Sequence, residues 1–202
     1  MAIEDKITAI ANSIRSKTGE TDLLTLDEMP AKINNISGGS GSNDFDKYIE
    51  GTLTEFTSNV ETIRSQGLWW GTFETANFPE AKRIEASAFW ECTKMKNLYI
   101  PKVEFIGNSG LYSSSGLTRL DLPSIKRIEG YAFCFSNITT IVIGTTDCVL
   151  SDDYAFADIY SSCIVYVPDE ALESYRTATN WVAALAWNPS ITLKGISELP
   201  TE

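Results

Sequence analysis

The sequence predicts a mainly β protein, a solenoid of about five coils of about 22 residues, with a small N-terminal α-helical segment and a C-terminal capping helix. One observation is a repeated octapeptide: KRIEASAF at Lys82–Phe89 returns as KRIEGYAF at Lys126–Phe133, 44 residues further on. Another is that Ile84, Ile106 and Ile128 step by half of that interval. Because one coil cannot bury its own apolar side chains but stacked neighbours can, a fixed period in register indicates stacked coils.

The first segment, residues 1–36, is predicted to be helical. Ile3, Ile7, Ile10 and Ile14 are spaced to lie on one stripe of a helix. Two short helices cannot form a core alone, so the stripe must be buried against something. Isoleucine at both core positions of a heptad favours parallel trimers or tetramers, and an intramolecular helix hairpin is the alternative. We therefore expect an attachment or oligomerisation segment, with a homotrimer favoured.

A linker, SGGSGSND, follows at residues 37–44. Its glycine and serine content is typical of a flexible connection between separate modules. The sequence thus predicts three parts: the helical segment 1–36, the linker 37–44 and a solenoid with its cap at 45–202.

Within the solenoid, short strands are predicted where two apolar residues flank one outward residue. Such strands end at prolines, since proline cannot donate a hydrogen bond to a neighbouring strand. The apolar pairs are Leu98/Ile100, Leu120/Leu122 and Ile141/Ile143, and the prolines are Pro79, Pro101 and Pro123. An earlier, imperfect coil is predicted to bury Val60, Ile63 and Leu68.

The tail is predicted to close the open end of the solenoid. Pro168–Asp169 is a good helix start, and Leu172 and Tyr175 would then cover the last coil. Ile191 and Leu193 are expected to add a final short strand.

Composition disfavours several classes of function. The net charge of −11 disfavours nucleic acids and anionic membrane surfaces as partners. No apolar run is long enough for a membrane helix, and the N-terminus lacks signal-peptide features, so we expect a chain made in the cytoplasm. The absence of histidine removes the commonest general base and metal ligand. We expect no catalytic residues, no metal site and no cofactor.

The cysteines and the repeated glutamates are also interpreted as structural. Cys92, Cys134, Cys148 and Cys163 form no CxxC pair and are expected to be buried thiols, with a disulfide between coils as the alternative. Two carboxylates two coils apart, Glu85 and Glu129, are expected to belong to a solvated edge of ion pairs beside nearby lysines rather than to a hydrolytic site.

Repeat proteins usually bind through outward residues of a repeated face. One predicted column is Tyr99, Asp121, Val142 and Tyr166, with Arg119 as an outward neighbour. A second, aromatic column contains Trp69, Trp70, Trp90 and Tyr112. The alternatives are an ordinary solvated sheet face for the first column and filling of gaps between coils for the second.

The unit P-x-x-K-R-I-E-x-x-A-F, followed by L-x-I/L-P, resembles the BspA-type leucine-rich repeat, which is also found in treponemal surface proteins. The terminal VPDEALESYRTATNW is similar to a segment that often follows the last repeat in that family. The resemblance covers about residues 52 to 182 and implies a leucine-rich-repeat β-solenoid.

The helical segment resembles another group, the N-terminal segments of tail and minor structural proteins from phages of Gram-positive hosts. The matching residues are the Ile-Ala-x-x-Ile-Arg helix, the Lys-Thr-Gly turn and Leu-x-x-Met-Pro, all within residues 3–33. This resemblance implies a virion or tail-like particle component that contacts other tail or baseplate proteins and binds a host-surface glycan or protein. The alternative is a bacterial surface adhesin or protein-interaction module.

Overall fold

The computed structural model describes residues 53–201, and Thr54–Glu202 is one compact unit. The predictions for the helical segment 1–36, for its stripe Ile3, Ile7, Ile10 and Ile14, and for the linker 37–44 lie outside the described residues.

The described chain is mainly β, as predicted, with two short helices near its end. The strands are β1 (Glu55–Thr57), β2 (Thr62–Ile63), β3 (Thr75–Asn77), β4 (Arg83–Ile84), β5 (Asn97–Tyr99), β6 (Phe105–Ile106), β7 (Arg119–Leu122), β8 (Arg127–Ile128), β9 (Thr140–Ile143), β10 (Val149–Leu150), β11 (Cys163–Val167) and β12 (Ile191–Gly195). The helices are α1 (Leu172–Thr177) and α2 (Thr179–Trp187), with 3₁₀ turns at Asp169–Ala171 and Ile196–Glu198.

Each coil contributes one strand to each of two rows of parallel strands. The first row contains the sheets β1-β3-β5 and β7-β9-β11-β12, and its outward side is called the strand face. The second row is the five-stranded sheet β2-β4-β6-β8-β10. Paired residues of the repeating strands are 20 to 24 positions apart in sequence, as Ile84↔Ile106 and Leu120↔Ile141 illustrate, and those of β11 and the tail strand β12 are 28 apart. The predicted β-solenoid of about five coils is therefore confirmed.

The third side of each coil is a series of tight turns, here called the turn face, which spans residues 66–70, 87–91, 109–113, 131–135 and 154–158. Residues at its edges adopt left-handed backbone angles, as at Ser87 (φ 55°) and Tyr131 (φ 57°). Alternate N–H groups donate to the next coil: Phe89 to Gly110, and Leu111 to Ala132. The turn face is consequently bonded coil to coil through its backbone, much as the strands are.

One apolar interior runs through all the coils. Ile84, Ile106 and Ile128 are fully buried and lie on adjacent paired strands, as the period predicts. Buried phenylalanines also stack along the axis, with the Phe133 and Phe156 ring centroids 5.5 Å apart. In the first coil Ile63 and Leu68 are buried, but Val60, expected in the core, is 44% exposed because it precedes β2.

The C-terminal cap is more extensive than the predicted helix. Tyr175 of α1 is buried as expected, and Leu172 packs partly buried against the core. From α2, the Trp181 indole N–H donates to the Cys148 carbonyl at 2.9 Å, and the Asn180 side-chain amide donates to the Leu150 carbonyl at 2.7 Å. The predicted final strand forms as β12, which extends the sheet beyond β11.

The four cysteines are free and buried, which confirms the reading as buried thiols. Burial raises the pKa of Cys92, Cys148 and Cys163 to about 12 and that of Cys134 to about 11. At neutral pH these thiols are therefore protonated and poorly nucleophilic.

Candidate binding surfaces

The strand-face column is partly assembled as predicted. Asp121 and Val142 are directly paired on β7 and β9, and Tyr99 stands 57% exposed on β5. Arg119 lies beside Asp121, with its Nε 3.1 Å from the Asp121 Oδ1. Tyr166, expected to be outward, is only 4% exposed. Its strand β11 is contacted by the 3₁₀ turn at Ile196–Glu198, so this part of the column is not open.

A shallow cleft interrupts the strand face between β5 and β7. These neighbouring strands belong to separate sheets, whereas the other strands of the row pair continuously. The cleft has a volume of about 360 Å³, and its walls include Tyr99, Arg119 and Asp121. Of the predicted strand-face residues, Tyr99, Arg119 and Asp121 therefore border one depression, and Val142 lies half-buried in the adjoining strand.

The aromatic column on the turn face is continuous. The ring of Trp69 contacts that of Trp70 at 5.1 Å and that of Trp90 at 5.8 Å between centroids. Trp90 and Tyr112 stack with centroids 3.9 Å apart and planes 14° apart. The column continues through Phe135 to Tyr160 at the C-terminal end.

Much of this column is occupied with packing. Trp90 and Tyr112 cover one ring face of each other, and partial burial raises the pKa of the Tyr112 hydroxyl. Trp70 and Trp90 both donate their indole N–H to the Glu91 carboxylate, at 2.8 and 3.0 Å. The open ends of the column are Trp70, which is 59% exposed, and Tyr160, which is 67% exposed.

The repeated glutamates have structural partners. Glu85 accepts the Ser65 backbone N–H at 3.0 Å, and Glu129 accepts that of Asn108 at 3.3 Å. The nearby lysines pair elsewhere: Lys82 with Glu61 at 3.5 Å, and Lys126 with Glu104 at 2.9 Å. Glu85 and Glu129 thus hold the neighbouring turn in place. Glu129 also pairs with Arg127 at 3.6 Å and so belongs to an ion-pair edge as predicted, whereas Glu85 has no ion-pair partner among residues 53–201.

A second aromatic group was missed in the sequence. Tyr131 and Tyr154 stack on the turn face with centroids 5.3 Å apart and planes 11° apart, and Trp187 from α2 meets Tyr154 edge-on at 5.8 Å. Their exposed fractions are 40%, 36% and 61%, respectively. The interval of 23 residues between the tyrosines was a usable signal, but Trp187 comes from the tail, where no period applies.

Residues 53–201 contain neither a metal-binding cluster nor a helix able to cross a membrane. No group of three or more histidine, cysteine, aspartate or glutamate side chains there is arranged to hold a metal ion. None of the helices in this part of the chain has the length and apolar character required to cross a bilayer.

Stacked parallel strands, one shared interior and outward columns at a constant interval define a β-solenoid repeat protein of the leucine-rich-repeat class. Residues 61–176 match the family model described as BspA type leucine rich repeat region, in six copies. This match spans more than half of the chain, and the chain therefore belongs to that family. No curated protein matches the chain. Repeats of this type are typical of protein-interaction or adhesin modules and of non-enzymatic proteins.

Proposed function

We propose that this chain is a structural component of a phage tail or tail-like particle that binds a host-surface glycan or protein through its repeat domain, without catalysing a reaction. The observation that carries the binding role is the alignment of exposed side chains on a rigid, repeated scaffold. In the β5/β7 cleft, an aromatic ring from one coil faces an Arg119–Asp121 pair from the next. An exposed aromatic beside polar groups suits sugar rings and protein anchors alike.

The attachment role is supported by the sequence of residues 1–36. Its resemblance to phage tail proteins and its isoleucine stripe suggest that this segment joins other tail or baseplate proteins and forms a homotrimer. Several copies of a weakly binding repeat domain on one particle would bind a cell surface tightly, because the later contacts become intramolecular. The repeat domain would then lie on the exterior of the particle.

A bacterial surface adhesin is the second candidate. The family match favours it, since BspA-type repeats are typical of adhesin and protein-interaction modules. Both candidates use the repeat domain to bind a partner and differ in what residues 1–36 attach to.

Adsorption to cells tests the binding role. The full chain, labelled with a fluorophore, is incubated with a panel of Gram-positive cells and with cell walls purified from them. We expect saturable binding to some members of the panel, and a reduction of about tenfold in affinity when Tyr99 and Asp121 are both replaced by alanine. Adsorption to no member of the panel, by monomer or oligomer, would remove the support for a surface-binding module.

Light scattering tests the attachment segment. We expect the full chain to have about three times the 22.3 kDa mass of one chain. The double variant Ile7→Glu, Ile14→Glu places two charges in the isoleucine stripe and is expected to be monomeric. A monomeric wild-type chain would contradict oligomerisation through this segment.

A further inference from the structure

The second aromatic group, Tyr131, Tyr154 and Trp187, forms a platform on the turn face. All three rings are exposed and contact one another in sequence along the platform. Exposed aromatic side chains that adjoin each other are unusual unless a partner covers them. These rings are not part of the Trp69–Tyr160 column, so the packing of that column does not account for their exposure.

The platform is held rigidly. The Tyr131 N–H donates to the Tyr154 carbonyl at 2.9 Å, which fixes the two coils relative to each other. Trp187 ends α2, and the next residue, Asn188, donates its side-chain amide to the Phe156 carbonyl at 2.9 Å. A prearranged site loses little conformational entropy on binding.

The backbone conformation of Tyr131 is energetically unfavourable. Its φ of 57° lies in the left-handed region, which is uncommon for a bulky side chain and costs about 1 kcal/mol or more. The equivalent positions in earlier coils are Gln66, Ser87 and Ser109, so the fold does not require an aromatic ring there.

The polar atoms of the platform are available to a ligand. Within residues 53–201, the hydroxyls of Tyr131 and Tyr154, the indole N–H of Trp187 and the carboxylate of Asp153 have no hydrogen-bond or ion-pair partner. The neighbouring Asp152 carboxylate lies against Gly130 and accepts the Tyr154 N–H at 2.9 Å. Its orientation is thereby fixed beside the rings.

Two carboxylates without ionic partners adjoin the platform. Asp152 and Asp153 directly precede Tyr154, and neither has an ion-pair partner within residues 53–201, whereas Glu129, two residues before Tyr131, is paired with Arg127 at 3.6 Å. Unpaired carboxylates attract positively charged partners and repel anionic ones. Aromatic ring faces add to this attraction through cation–π contacts.

The backbone of this face excludes recognition by strand addition. The N–H groups of Tyr131 and Phe133 already bond to the next coil, so a peptide cannot extend a sheet there. Recognition must therefore use side chains, and open rings edged by hydroxyl, indole and carboxylate groups suit the apolar faces and hydroxyls of sugar rings.

We propose that the Tyr131–Tyr154–Trp187 platform, with Asp153, binds a glycan that carries free amino groups. Sugar rings stack on the exposed aromatic faces, and protonated amines of the glycan pair with the carboxylates. This proposal rests on the proposed function, since it names the partner class for one face of the same repeat domain.

The test compares glucosamine oligosaccharides with N-acetylglucosamine oligosaccharides of equal length, using the full chain in calorimetry at a pH where the amines are protonated. The two probes differ at the sugar nitrogen, which is a charged amine in one and a neutral acetamide in the other. We expect the amine form to bind at least about tenfold more tightly, and to bind more weakly as salt is added.

Variants assign the binding to the platform. Tyr131→Gly removes the ring at a position whose backbone angle suits glycine, and Trp187→Ala removes the most exposed ring. Each is expected to weaken binding by about tenfold, and Asp153→Asn by about threefold. Val182→Ala, on the same helix as Trp187, and Glu170→Gln, an exposed carboxylate elsewhere in the cap, are matched controls expected to bind normally.

Three results would contradict glycan binding by the platform. They are equal binding of the amine and N-acetyl forms, no binding of either form, and binding of oligolysine that is as tight as that of the amine form and is not weakened by Trp187→Ala. The last result would indicate a general cation surface rather than a glycan site. If the same variants still adsorb to cells as the wild type does, only this inference fails and the proposed function stands.

Discussion

Residues 54–127 and residues 128–201 share one apolar interior, but their surface charges are arranged differently. The first part has nine lysines and arginines against eight carboxylates, and the second has two against nine. In the first part, lysines pair with glutamates one coil away, as Lys96 does with Glu74 at 2.9 Å and Lys102 with Glu80 at 2.7 Å. In the second, Asp153 and its neighbours have few cations available.

The difference shows how one repeat can serve two purposes. Where charges of opposite sign alternate from coil to coil, they neutralise each other and leave little net charge to attract a partner. Where the cations are missing, the carboxylates are left to act together on whatever approaches. The C-terminal part is also closed by a buried cap, in which Trp181 packs against Phe156 and Tyr175.

The largest effect is expected from Trp181→Ala, which removes the centre of the cap. Trp181 is 1% exposed, and its loss leaves a cavity and an unpaired Cys148 carbonyl. We expect the free energy of unfolding to fall by about 3–5 kcal/mol, measured by urea titration. Trp187→Ala on the same helix, with its ring 61% exposed, is the control and is expected to change it by less than about 1 kcal/mol. Equal losses for both would mean that the cap does not close the core.

Alkaline pH is expected to have the next largest effect. Burial raises the pKa of Cys148 from 9.0, and that of Tyr175 from 10.0, to about 12 in each case. Because the folded state favours the neutral forms, their contribution to stability is complete below the unfolded pKa and is lost as pH rises toward the folded pKa. Between its unfolded and its folded pKa, each group should lower the free energy of unfolding by about 1.4 kcal/mol per pH unit.

Urea midpoints between about pH 8 and about pH 11 measure this decline. Cys148→Ala removes one titrating group and is expected to reduce the slope above pH 9, although it lowers stability at neutral pH. A midpoint independent of pH over this range would contradict the buried neutral state of these groups.

The smallest effects concern the surface charges themselves. A double-mutant cycle on Lys102 and Glu80, with alanine at each, is expected to give a coupling of about 0.2–1 kcal/mol, because the pair is exposed. The coupling should disappear at high salt.

Asp153→Asn is expected to be neutral or slightly stabilising, since it removes a charge without an ionic partner among residues 53–201. A loss of stability on Asp153→Asn would contradict the view that carboxylates in residues 128–201 lack the stabilising ion pairs of residues 54–127.

Much of the candidate site was predictable where the period applies. The interval of 22 residues placed Ile84, Ile106 and Ile128 in one buried column, and intervals of 21 and 22 residues brought Trp69, Trp90 and Tyr112 together. The prediction failed where the chain leaves the period. Tyr166 alternates like Tyr99, but its strand is contacted by the 3₁₀ turn at Ile196–Glu198 in the tail, and its side chain is buried.

The sequence by itself determined the solenoid, because apolar side chains that return at a constant interval have no other way to be buried together. It also determined the uneven charge, which composition alone records. Tertiary structure decided which outward residues meet. The break between β5 and β7 creates a cleft at Tyr99, and the packing of α2 on the last coil brings Trp187 to Tyr154. Such contacts depend on how non-repeating segments pack in space, and a repeat interval carries no information about that.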